Sequence, residues 1–314
     1  MKDNKSNIKV KKKQYRLDTF DIVNYVIMIA ILIIIAYPIY FTIIASFSEP
    51  SAVATNKVSL WPVGFNLKAY EHVFRYKPIW TGYANSIFYT TCGTLFSLFM
   101  TIPAAYAMSK KKLPLKGLAT LFFAFTMYFG GGTIPTYVQV RNMHLLDTRI
   151  ILVIMGAFGV YNMIMTRAYF SNNISESLYE AAEIDGSGEL RKFFAIALPL
   201  SKPIIAVMTL YYAVGHWNSY FSAMLYTSSP ELKPLQLVLR DVLILNQKAT
   251  DPALLADQMA NGGVDAVKLA VEQANMAYAM KFSVVFIASA PMLAMYPFVQ
   301  KYFVKGAMIG SVKE

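Results

Sequence analysis

Cysteine occurs once in these 314 residues, histidine three times, and charged side chains make up only 15% of the chain. One thiol, Cys92, cannot close an internal disulfide. His72, His144 and His216 lie too far apart to form a metal-ligand spacing, and neither a nucleophile–base pair nor a Walker-type glycine loop is present. The chain is therefore read as no enzyme, with no metal and no cofactor bound by itself. Soluble domains carry about 25% charged residues. At 15% charged and 56% apolar, with a mean hydropathy of +0.42, the chain falls in the integral membrane class.

Acidic residues are scarce as well, 18 against 29 Lys and Arg, for a net charge of +11. The basic run Lys9, Lys11, Lys12, Lys13 and Arg16 suits an anionic lipid surface. Nucleic-acid binding is the rival reading, and it is set aside because topology explains the charge. Six windows lack charge: 22–48, 78–109, 117–140, 150–166, 203–230 and 282–300. Each approaches the length a helix needs to cross about 30 Å of hydrocarbon. The all-α reading places six spans at about 22–48, 81–108, 117–138, 149–167, 203–227 and 281–301. With the N-terminus inside, the inner segments hold 18 basic residues in 76 positions and the outer segments 11 in 101. Both termini are thus expected in the cytoplasm of a multi-pass membrane protein. The first apolar stretch exceeds a signal-peptide h-region, and Tyr37-Pro38-Ile39-Tyr40 offers no cleavage site.

A basic cytoplasmic tail is read at 1–19, a transmembrane domain at 20–306 and a cytoplasmic tail at 307–314. Gly130-Gly131-Gly132 and Pro135 should break the third span where protein or water covers the freed backbone. Pro203 suits a first helical turn. The outer segment 227–281 is read as a recognition element, with helices from Asp251 to Ala260 and Val264 to Met280 around Gly262-Gly263.

Between spans four and five lies a polar segment, 171–202. Ser177 followed by Glu180 predicts a capping box, and Gly186 a left-handed end to a helix of about nine residues. A second helical piece is expected from Glu189 to Ala197, leading into Leu198-Pro199. Small Ala181 and Ala182 would let another surface approach, while Glu180, Glu183 and Asp185 would supply docking charge. Periodicity alone would equally suit an ordinary amphipathic surface loop.

The spacing Glu180-Ala181-Ala182, three residues, Gly186, nine residues, Ile196-Ala197-Leu198-Pro199 resembles the EAA loop of ABC importer permeases. Trp80-Thr81-Gly82-Tyr83-Ala84-Asn85-Ser86 through Ala104-Ala105-Tyr106-Ala107-Met108 is similar to the second span of sugar-importer permeases. Tyr128 to Tyr137 and Gln300 to Lys313 resemble the branch that handles oligosaccharides and polysaccharide fragments. One departure is visible: Ser175 follows Ile174 where the family often has Ile-Pro. The resemblance implies a type I importer permease that couples to an ATPase through Glu180, Ala181, Ala182, Glu183, Asp185, Gly186, Leu198 and Pro199. It implies a second, different permease subunit, two ATPase subunits using ATP and Mg, and an extracytoplasmic sugar-binding protein that delivers an oligosaccharide.

Sugars are read by hydroxyl hydrogen bonds and aromatic faces, so polar and aromatic residues deep in spans are candidate pathway residues. Asn85, Tyr89, Tyr161, Asn162, Trp217, Asn218 and Tyr220 qualify, against the plain alternative of interhelical bonding. An importer of a non-sugar solute shares the loop and stays open as the alternative. A secondary carrier and a membrane scaffold have no use for that loop, and buried carboxylates for ion coupling are lacking.

Overall fold

The computed structural model describes residues 18–249 and 264–309, and among them every regular element is helical. In chain order these are α1 (Thr19–Ser46), α2 (Pro50–Ala54), α3 (Lys68–Arg75), α4 (Lys77–Ser109), α5 (Lys116–Tyr128) and α6 (Thr133–Asn142). They continue as α7 (Arg149–Ile154), α8 (Val160–Asn173), α9 (Glu176–Ile184), α10 (Glu189–Lys192) and α11 (Leu198–Leu200). The last are α12 (Lys202–Trp217), α13 (Tyr220–Tyr226), α14 (Leu235–Ala249) and α15 (Val264–Ile309). The helix expected from Asp251 to Ala260, the Gly262-Gly263 break and the basic run in 1–17 lie outside the described residues.

Asp18 caps α1, its carboxylate accepting from the Thr19 N–H at 2.8 Å while Asp21 returns the bond to the Asp18 N–H. This is a capping box, which satisfies two donors that a helix start would otherwise leave free. Along its length α1 buries only Ile44, Ala45 and Ser46, so its apolar surface is free to meet lipid. Helix α4 forms the axis, with α7, α8, α12 and α14 packed along it. Among the described residues, three helices are long and apolar enough to cross a membrane, or up to five if each bent pair counts as one crossing. The break at Gly130–Gly132 occurs as expected, turning α6 by 111° from α5. The stretch 149–167, read from sequence as one span, is divided into α7 and α8 around Gly156, whose φ of +77° ends the helix. Helix α14 was not among the expected elements, and α15 runs unbroken for 46 residues through the end expected near Met280.

In a bilayer, apolar burial does not drive helices together; close packing and hydrogen bonds do. Gly82 lets α4 approach the backbone of Leu235, where a Cβ would stand 3.0 Å from its Cα. Gly93 accommodates the His216 ring, which a Cβ would meet at 2.5 Å. Pro291 in α15 has no N–H to give the Ile287 carbonyl one turn earlier. The Tyr83 hydroxyl donates to that carbonyl instead, at 2.8 Å, tying α4 to α15.

Candidate functional site

The segment 171–202 folds much as its residues dictate. Helix α9 ends in a Schellman motif, in which Gly186 takes a φ of +74°. The Gly186 N–H donates to the Glu183 carbonyl at 3.0 Å, and the Ser187 N–H donates to that of Ala182 at 2.8 Å. The expected capping box does not form. Helix α9 starts earlier, at Glu176, with Ser175 as N-cap; the Ser175 hydroxyl is bonded to that of Ser177 at 2.7 Å and makes no cap bond. The expected second piece also differs, as α10 gives way to a π-helical turn, Phe193–Ala197, before α11 carries Leu198 and Pro199.

Among the eight coupling residues, Ala182 is buried, Leu198 is half-buried, and Glu180, Ala181, Glu183, Asp185, Gly186 and Pro199 are exposed. Beside them stand apolar side chains open to solvent: Leu178, Ile184 (88% exposed), Leu190 (76%) and Phe194. Glu183, read from sequence as a docking charge, is already engaged within the chain. Its carboxylate accepts from Lys192 Nζ at 3.0 Å, and Glu189 accepts from the same ammonium at 3.1 Å. The other Glu189 oxygen accepts from the Tyr106 hydroxyl, at 3.1 Å, at the end of α4. Lys110 Nζ lies 3.3 Å from the Tyr179 ring centre and 4.3 Å from that of Tyr106. Both are cation–π contacts. Lys111 pairs with Glu176.

These contacts set the electrostatics. The hydrogen bond and charge of Lys192 hold Glu183 below the usual carboxylate range. Burial pushes Glu189 up, but bonds from Lys192 and Tyr106 and the charge of Lys110 leave it below that range. Hydrogen bonds to Glu183 and Glu189 raise Lys192, whereas burial lowers Lys110. Burial, then the Glu189 charge, pushes the Tyr179 hydroxyl up to about 12. Lys192, Tyr106, Lys110, Tyr179 and Glu189 were not singled out from sequence, because Tyr106 on α4 and Glu189 on the loop stand 83 positions apart.

The seven pathway candidates separate into two groups. Asn85, Tyr89 and Trp217 are buried. Asn85 donates to the Glu231 and Lys233 carbonyls at 2.6 and 3.1 Å, Tyr89 to Leu232 at 2.9 Å and Trp217 to Ala288 at 3.1 Å. Tyr161, Asn218 and Tyr220 are exposed, and Asn162 is half-buried beside Gly159.

Residues 78–307 match the family described as the inner membrane component of binding-protein-dependent transport systems. This chain belongs to that family. The permease is 38% identical over 294 residues to Protein LplC of Bacillus subtilis strain 168, covering 94% of this chain and 95% of that one. It is 36% identical to the polygalacturonan/rhamnogalacturonan transport system permease protein YtcP of the same organism, covering 94% of this chain and 98% of the relative. A crystal structure of a bacterial ABC transporter involved in the import of the acidic polysaccharide alginate contains a chain of like fold. The TM-score is 0.78 at 33% identity, over 90% of this chain and 96% of that one. The permease is thus an all-helical transport subunit of type I ABC permease fold, set in the membrane and without catalysis of its own. It works with a partner permease, an ATPase and a binding protein.

Proposed function

We propose that the permease forms half of the translocation pathway for an oligosaccharide delivered by an extracytoplasmic binding protein, and that 171–202 docks into an ATPase. The observation that carries the docking is the exposed set Leu178, Ile184, Leu190 and Phe194 around the ordered Gly186 turn. An apolar surface on a polar loop asks for a covering partner. Glu180, Ala181, Ala182, Asp185, Gly186, Leu198 and Pro199 belong to this docking segment, and Glu183 braces it. The named saccharide cargoes of YtcP and of the alginate transporter support an oligosaccharide substrate.

In this reading six crossings are built from α1, α4, the bent pair α5–α6, α7–α8, α12 and α15, with both termini cytoplasmic. One different permease subunit and two ATPase subunits complete the importer, and ATP with Mg is used by the ATPase pair. Closure of that pair would rock the permease halves between inward- and outward-facing states. Tyr161, Asn162, Asn218 and Tyr220, which retain accessible surface, are the better candidates to touch solute.

Co-purification of the ATPase with wild type, Gly186→Asp and Glu180→Lys tests the docking. A Cβ at Gly186 meets open space, so the added carboxylate changes the docking face and the turn, not the packing of this subunit. The expected result is loss of the ATPase from both variants while the permease stays inserted. Full assembly and transport by both would overturn the assignment.

A further inference from the structure

We propose that Lys192 is a positioning residue that makes the docking loop and α4 move as one body. The inference rests on the docking reading above and adds how a displacement of α9 reaches the membrane helices. Helix α9 buries Ala182 and rests its half-buried Tyr179 against Tyr106, which packs one side of the helix and leaves the Glu183 side without apolar support. Lys192 supplies the missing constraint. Its side chain is only 4% exposed, and its ammonium holds Glu183 in the last turn of α9 and Glu189 at the start of α10. Glu189 divides its two oxygens, one on Lys192 and the other on the hydroxyl of Tyr106, which is buried at the end of α4. The Tyr106 ring lies against Phe193 at 5.0 Å and Phe170 of α8 at 5.8 Å, so a pull through Glu189 meets a packed element. The path runs α9, Glu183, Lys192, Glu189, Tyr106, α4. Lys110 over Tyr179 fastens the other side of α9 to the same place.

A buried lysine joining two carboxylates suits this work. Each charge-assisted bond is directional and strong where the donor is screened from water. The side chains of Glu183 and Glu189 stay 64% and 63% exposed, so their carboxylates are hydrated if released and the loop need not unfold. Lys192→Met keeps the stem and removes the ammonium; Tyr106→Phe removes one hydroxyl and keeps the ring.

The test uses the assembled importer in proteoliposomes, with its partner permease, ATPase and binding protein. Two quantities are read: ATPase retained on the permease, and stimulation of ATP hydrolysis by added binding protein. Lys192→Met should retain the ATPase yet lose stimulation by about tenfold, the worth of one hydrogen bond to a charged group. Lys192→Arg should restore most of it, and Tyr106→Phe should lower it a few-fold. Should Lys192→Met fail to assemble, Tyr106→Phe decides: ATPase retained with stimulation reduced supports the proposal. Wild-type stimulation in both variants overturns it, as does loss of assembly by both, which would make the cluster merely structural. A wild-type permease that holds no ATPase would instead overturn the docking reading beneath it.

Discussion

The two ends of α4 are fastened by different chemistry. At the Gly82 end, neutral groups and bare backbone do the holding. Asn85, Ser86 and Tyr89 bind the main chain of 231–235, with the Leu235 N–H donating to Ser86 Oγ at 2.8 Å, and Gly82 rests on Leu235 itself. At the Tyr106 end an apolar cluster packs α4 on Phe170 and Phe193, but long charged side chains tie it to the docking loop, and the carboxylates of Glu183 and Glu189 remain open to water. Buried bonds to backbone have one good geometry and leave costly orphans when broken. Exposed carboxylates on a flexible lysine can be released and retaken. The first end is built as a fixed frame, and the second as a joint that carries load.

Overfilling the frame is the strongest way to break that contrast. Gly82→Val would force side-chain atoms into the Leu235 backbone and Val238, neither of which is a flexible chain end. The expected loss is about 3 kcal/mol, read as a lowered thermal midpoint in detergent. Gly186→Ala at the other end of the contrast adds a Cβ in open space, and its cost is confined to the strained φ of +74°. Comparable midpoints for Gly82→Val and wild type would show that the seam is looser than its distances imply.

Next in size is Asn85→Leu. It strands the Glu231 and Lys233 carbonyls, which Pro234 and the short 3-10 turn leave few other donors to reach. The expected cost is about 2 kcal/mol. This variant also separates two roles: a frame residue loses stability, whereas a solute contact loses transport at unchanged stability. A transport defect with a wild-type midpoint would return Asn85 to the pathway.

Helix stops could be read in the sequence at either end, whereas most of the contacts behind this contrast could not. Gly186 foretold its turn, and Gly130–Gly132 its break, because in both cases glycine sits where a helix must stop. The break at Gly156 was hidden, since isolated glycines are common in apolar spans and left the uncharged window 150–166 intact. Helix α14 carries a visible signal: Leu235, Val238, Leu239 and Val242, all buried, follow the helical period through i+7. The capping box failed because Ser175 offered an earlier start, two residues before Ser177. The Lys192 joint gave half a signal, since Glu189 stands three residues before it on the expected helical piece. A lysine in a polar loop still reads as solvated, and only the fold brings Glu183 to it and Tyr106 to its partner Glu189.

The smallest expected effect concerns an acid-sensitive clip on the loop before α7. Asp147 adopts a φ of +56°, a conformation that Asp and Asn tolerate better than other non-glycine residues. Its Oδ1 accepts from the Ser228 and Ser229 N–H groups at 2.8 and 2.9 Å, and its Oδ2 from the Ser229 hydroxyl at 2.6 Å. The Ser229 hydroxyl bond, then the two backbone bonds, hold its carboxyl below the ordinary value of 3.8. A depressed folded pKa stabilises in full above the unfolded value and is lost as pH falls through the folded one. Asp147→Asn keeps the backbone preference and removes the charge, so the midpoint gap between wild type and variant isolates this group. The gap should be small and constant from about pH 7 to about pH 5, and it should close below 3.8. Glu183 and Glu189, also depressed, weaken on the same side of neutrality but do so in both proteins, so they cancel in the difference. A gap that persists unchanged in acid would mean that the carboxylate charge contributes nothing to the clip, and that the frame end of α4 is neutral throughout.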